Sequence, residues 1–129
     1  MERFLLDTTV LIDLSKNYGV VEQALDELVI AGGVLGVCAV SVAEFLVGIP
    51  TPWREKWEIW ISDYAYWDIS VQAAARAGAI RYDLVREGAK ILVADALLAA
   101  TALEIDATLI TNDVKDFPVK GLRLLRLGP

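Results

Sequence analysis

Histidine is missing from all 129 residues, and cysteine occurs once, at Cys38. No disulfide can form within the chain. A Ser-His-Asp triad, a Cys-His pair, an imidazole acid/base pair for cutting RNA and an ordinary zinc site are all excluded. Cys38 lies in the apolar run VLGVCAV, where a thiol reads as a small core hydrophobe and not as a nucleophile. Chemistry is left to carboxylates. Cations are also scarce: 12 Lys and Arg face 18 Asp and Glu, a net charge of −6. Residues 1–64 hold 4 basic and 10 acidic side chains, residues 65–129 hold 8 of each, so the surplus is local. An acidic chain is a poor non-specific ligand for nucleic-acid phosphates. Long apolar runs are absent as well. The longest uncharged stretch, Leu28 to Ala43, has 16 residues and is broken by Gly32, Gly33 and Gly36, short of the ~18–20 that a membrane span needs. The start, MERFLLDTTV, lacks the basic segment and apolar stretch of a secretory signal. With a lone cysteine, this leads us to expect a soluble cytoplasmic protein with no membrane segment.

What is present suits one compact unit. The chain is 14.1 kDa, 56% hydrophobic, with a mean hydropathy of +0.48, enough apolar material for a real core and too much for disorder. We read residues 1–129 as a single domain. Arg3 to Leu6 predicts a buried strand ending at Asp7. TTVLIDLSK then has helical spacing and is ended by Asn17 and Gly19. Val20 to Ala31 predicts a second helix, stopped by Gly32-Gly33, and Val34 to Val40 a second buried strand. Ser41 is expected to cap a helix reaching about Gly48. Thr51-Pro52 reads as an N-cap followed by proline at the first helical position, giving a helix to about Asp63. A short strand over Ala65 to Ile69, a long helix from Ser70 to near Gly88, a helix over Ile91 to Ile105, and strands at Thr108 to Thr111 and Leu122 to Leu125 complete the order. Strands alternating with helices predict an α/β fold: a three-layer sandwich with a mostly parallel twisted sheet of about five short strands and helices on both faces.

In such sheets the functional crevice lies beyond the carboxyl ends of the strands. Asp7 ends the first strand, Glu44 opens the helix after the second, and Asp113 follows the strand TLIT. Asp95 is the only charge in ILVADALLAATAL, where an unpaired carboxylate costs several kcal/mol, as an order of magnitude, unless something compensates it. Structural roles compete with a shared one. Asp7 and Asp113 can cap the helical turns that follow them, and Ser41-x-x-Glu44 has the form of a capping box. If the four acids converge, their repulsion calls for a divalent cation, and oxygen-only ligation suits Mg²⁺, with Mn²⁺ as a substitute. Four acids around phosphate-ester chemistry fit one or two such ions better than a closed structural site.

The segments LLDTTVLIDL (5–14), SVAEFLVG (41–48), GAKILVADALLAATALEIDATLITNDVKDF (88–117) and GLRLL (121–125) resemble, in order and over nearly the whole chain, the PIN-domain ribonucleases, and within them the VapC-type toxins of toxin–antitoxin pairs. By that resemblance Asp7, Glu44, Asp95 and Asp113 are the acids gathered around Mg²⁺. Thr111 is the hydroxyl residue of a Thr-x-Asp step, and Asp116-Phe117 closes that motif. Thr9 replaces the Asn common after Asp-Thr in the family, and Asp116 is an alternative to Asp113 as the fourth acid. Asp13 is expected only to orient a neighbouring basic group. The resemblance implies a cytoplasmic Mg²⁺-dependent endoribonuclease, typically a homodimer, held in check by a cognate antitoxin protein. Asp7 and Asp95 would be its principal ligands.

Arg76, Arg81, Arg86, Lys90, Lys115, Lys120, Arg123 and Arg126 are available to meet RNA phosphates, or simply form solvated faces. Trp53, Trp57 and Trp60 recur at i, i+4 and i+7, a stripe that suits core burial, a partner-binding or dimer surface, or less well a base-stacking platform. Two other functions stay open. A phosphohydrolase forming an aspartyl-phosphate at Asp7 is disfavoured because Thr9 stands where Asp-x-Asp requires an acid. A non-catalytic interaction module of the same fold would not need all four acids.

Overall fold

The computed structural model describes residues 1–16 and 19–127. Its sheet is wholly parallel, with strands β1 (Arg3–Leu6), β2 (Val34–Val37), β3 (Ala65–Tyr66), β4 (Ala107–Ile110) and β5 (Leu124–Leu125) in the order β3-β2-β1-β4-β5. Helices α1 (Thr8–Ser15) and α2 (Gly19–Ile30) link β1 to β2. Helices α3 (Ala39–Val47) and α4 (Thr51–Ile61) link β2 to β3, and α5 (Val71–Arg86) and α6 (Val93–Glu104) link β3 to β4. A 3-10 turn, Val114–Asp116, precedes β5. The expected element order and three-layer architecture are present, and the sheet is parallel throughout. Among the described residues no helix is long and apolar enough to cross a membrane.

Period-two alternation divides the core. Phe4 and Leu6 point to one face and pack with Val10 and Leu11 of α1, Leu25 of α2, Phe45 of α3 and Ile61 of α4. Leu5 points to the other face and packs with Leu98, Ala99 and Ala102 of α6. Helix α6 is covered on its far side by α5, where Ala73 and Ala77 meet Ala96 and Ala100. Burial on two sides explains why this helix is apolar almost all round. Gly36 in β2 lies beneath the Trp67 indole: a Cβ there would come within 2.3 Å of the ring. Gly32 takes φ +97 at the stop after α2, a conformation glycine adopts without strain.

Several boundaries differ from the sequence expectation. Strand β2 stops at Val37 and not Val40, because Cys38 turns the chain as N-cap of α3. Ser41 is therefore the third helical residue and not the cap. Its Oγ accepts from Cys38 N at 3.3 Å and donates to Cys38 O at 3.2 Å, so the Ser41-x-x-Glu44 capping box does not form. Helix α4 starts one residue early, with Pro50 as N-cap and Pro52 at the second position. Strand β3 keeps only two residues, and β4 begins and ends a residue earlier than expected. Strand β5 starts at Leu124 and not Leu122. Gly19 opens α2 instead of ending α1, which closes at Lys16; Asn17 lies outside the described residues. Helix α6 begins at Val93 and not Ile91, since the Ile91 carbonyl accepts from Arg81 Nε at 3.0 Å and Leu92 stays extended.

Candidate active site

Parallel strands carry their following residues to one edge of the sheet, and β1 lies at its centre. Asp7 emerges from β1 beside the end of β4, with its N–H on Ile110 O at 2.9 Å. It is a buried acid, 5% exposed. Three donors surround it. Thr8 N donates to Oδ1 at 2.7 Å, while Thr111 Oγ1 at 2.7 Å and Thr9 Oγ1 at 3.3 Å donate to Oδ2. Asp7 does act as N-cap of α1, so the capping role and the site role coexist. Burial pushes its carboxyl above the ordinary 3.8, the hydroxyl and amide donors pull it back, and Glu44 adds to the rise.

Glu44 lies in the second turn of α3, exposed, and accepts from Thr8 Oγ1 at 3.0 Å. Asp95 occupies the first turn of α6 and is half-buried. Its place is not the helix interior that the run of apolar residues suggested, because the helix starts two residues later than expected. At an N-terminus the helix dipole favours a carboxylate, yet burial and then the charges of Asp7, Glu44, Asp116 and Asp113 raise Asp95 from 3.8 to about 6. The largest charge effects on Asp95 come from other acids. Asp113 holds the N-cap position of the 3-10 turn without a side-chain capping bond; its N–H donates to Thr111 Oγ1 at 3.0 Å. Asp116 is exposed at the end of that turn.

The four acids and Asp116 thus share one electrostatic field at the carboxyl edge of the sheet. As their side chains stand, no three acidic, histidine or cysteine groups among the described residues close on one point tightly enough to hold an ion. The donor set nevertheless fits Mg²⁺ in kind. It offers only hard oxygens and excess negative charge, and Mg²⁺ takes one or two carboxylates directly while keeping several waters, which more distant acids can hold.

Sequence reasoning did not find the roles of Thr8 and Asn112. Asn112 N donates to Thr9 Oγ1 at 3.2 Å, and its side-chain amide donates to Asp13 Oδ2. Asp13 therefore meets an amide and not the basic group expected. The i, i+4 spacing of Thr9 and Asp13 was a readable signal, but only with the strand that approaches from 100 residues away. Cys38 is fully buried, and burial raises its thiol pKa, as a core residue's should be. The tryptophan stripe splits: Trp57 and Trp60 pack edge-on to each other and against Phe45, whereas Trp53 is 58% exposed.

The sheet order and its acidic carboxyl edge define a class that the comparisons identify: the chain belongs to the PIN-domain family, whose model matches residues 4–120. It is similar to Ribonuclease VapC19 of Mycobacterium tuberculosis, with 30% identity over 118 residues, 89% of this chain and 92% of that protein. Among solved structures, VapBC2 from Rickettsia felis bound to a DNA fragment from its promoter matches with a TM-score of 0.87 and 23% identity, covering 98% of this chain and 99% of that one. DNA-bound VapBC from Salmonella typhimurium matches with a TM-score of 0.84 and 21% identity, over 99% and 100% of the two chains. At these identities the structural likeness speaks for the fold.

Proposed function

We propose that this chain is a divalent-metal-dependent endoribonuclease of the VapC type, the toxin of a toxin–antitoxin pair acting in the cytoplasm. The observation that carries the reading is the half-buried carboxylate of Asp95, set in the field of Asp7, Glu44, Asp113 and Asp116 at the carboxyl edge of a PIN-type sheet. Asp7 and Asp95 are the principal ligands for Mg²⁺, or Mn²⁺ in its place. Glu44 and Asp113 hold the ion or its waters. Bound there, the ion supplies Lewis acidity toward an RNA phosphodiester and lowers the pKa of water.

The chain's own residues prepare that site. Thr111 and Thr9 aim their protons at Asp7 Oδ2 and favour its ionised form, and Thr8 fixes Glu44 toward α1. Asp116 adds charge at the rim, and exposed Lys90 and Lys115 are available for phosphates. The partners are RNA, a cognate antitoxin protein and a second copy of the chain, with the exposed Trp53 as one candidate contact. The relatives' names support this: one is a ribonuclease, and the matching structures are VapBC complexes.

Purified protein should cleave RNA with Mg²⁺ or Mn²⁺ and stop in EDTA, and Asp95→Asn should abolish cleavage with the fold intact. Unchanged cleavage by that variant rejects the site. Binding of a partner without cleavage under any metal would instead favour the interaction module, and a covalent phosphoryl group on Asp7 the phosphohydrolase.

A further inference from the structure

The loop after β4 is fastened to α1 by a contact that involves none of the four acids. Thr9 and Asp13 lie one turn apart on the same face of α1, and both grip Asn112, the first through its backbone N–H at 3.2 Å and the second through its side-chain amide. The other amide atom, Asn112 Oδ1, is buried without a hydrogen-bond partner among the described residues. The side chain is therefore held through Asp13, with its carbonyl end left unsatisfied, an arrangement that natural structures rarely keep without reason.

A hydroxyl has a single proton to donate. Thr9 Oγ1 receives the Asn112 N–H, so its proton is free to turn to Asp7 Oδ2; Thr111 Oγ1 receives the Asp113 N–H and likewise donates to Asp7 Oδ2. Two consecutive loop amides thus set the direction of two hydroxyls; the Asp113 bond to Thr111 is local to the loop, whereas the Asn112 bond to Thr9 holds only while the loop stays docked on α1. Asp7 Oδ2 is then occupied by both hydroxyls, and Oδ1 has one donor, Thr8 N.

We propose that Asp13 is a positioning residue. By holding Asn112 against α1 it keeps the Thr9 hydroxyl beside that of Thr111 on Oδ2 and leaves Oδ1 of Asp7 as the oxygen offered to a divalent cation. The inference rests on the metal-dependent reading above. It is tested by Mn²⁺ binding to metal-free protein, followed by the EPR signal of the free ion, with thermal unfolding in EDTA recorded for each variant. Asp13→Ala is expected to weaken Mn²⁺ binding about ten-fold, the lower end for loss of a partner that orients a ligand. Asp13→Asn, whose side-chain oxygen still accepts from Asn112, should stay closer to wild type than to Asp13→Ala. Asn112→Ala breaks the same bond from the loop side, should match Asp13→Ala, and takes its place if that variant does not fold. Wild-type affinity in the folded bond-breaking variant overturns the inference while leaving the metal-dependent reading intact. Equal losses in Asp13→Asn and Asp13→Ala also overturn it, since charge and not the bond would then matter. Wild-type protein that binds no Mn²⁺ overturns both.

Discussion

Replacing Asp95 by Asn should move stability and activity in opposite directions. The carboxyl is raised from 3.8 to about 6 by burial first and by the surrounding acids second, so the metal-free folded state binds its proton more tightly than the unfolded chain does. The stability that protonation contributes is full below pH 3.8 and is lost as pH rises through about 6. A pKa difference of this size corresponds to roughly 3 kcal/mol. Solvent screening of a half-exposed group reduces that to about 1–2 kcal/mol. Asparagine cannot ionise, so in EDTA at pH 7.5 the variant should be more stable by that amount, a rise of roughly 3–8 °C in Tm for a domain of this length. At pH 4.5, where the native carboxyl is already protonated in the fold, most of the gain should vanish. The same variant should lose metal-dependent RNA cleavage. Thermal unfolding at the two pH values, with a cleavage assay on the same preparation, makes the test. A variant less stable than wild type at pH 7.5 in EDTA, or one with the same gain at both pH values, would refute the electrostatic reasoning.

Thr111→Val removes the 2.7 Å donor to Asp7 and the acceptor for Asp113 N; denaturant unfolding should show a loss of about 1.5–3 kcal/mol, as for a hydrogen bond to a charged group, with Thr111→Ser near wild type. Thr8→Val releases Glu44 from its 3.0 Å contact, and because both side chains lie near solvent it should raise the Mg²⁺ concentration needed for half-maximal cleavage while changing Tm little. Gly36→Ala drives a methyl into the Trp67 ring, an overpacking cost of about 1–3 kcal/mol, seen as a lower Tm and altered tryptophan fluorescence with Mn²⁺ affinity unchanged.

The order of elements and the edge of the sheet that carries the acids were legible because buried parallel strands read as short apolar runs, and β1 and β4 run straight into Asp7 and Thr111. Ends of elements were less so. Ser41 looks like a cap beside Glu44, but a two-residue β3 cannot extend pairing past Val37, and Cys38 turns the chain first. Asp95 looked interior because Ile91 and Leu92 continue the apolar pattern; the guanidinium of Arg81, ten residues earlier, takes the Ile91 carbonyl out of the helix. Asn112 stayed invisible because its importance comes from Thr9 and Asp13, 103 and 99 residues away. The tryptophans show the limit of periodicity: Trp57 and Trp60 follow the helix face that meets Phe45, and Trp53, a turn earlier, overshoots the end of that packing surface.

The pairing of β1 with β4 bears on when the molecule becomes dangerous to its host. Leu6 and Ile110 are in register at the very point where Asp7 meets Thr111, so Asp7, the first of the four site acids to be made, stays unassembled until the segment around Thr111 has left the ribosome. An incomplete nascent chain has one half of the pocket only, and long-range pairing of this kind forms late. On the proposed function, a product terminated before Thr111 would be harmless, and the cell's exposure begins only once β4 has been made and has paired with β1.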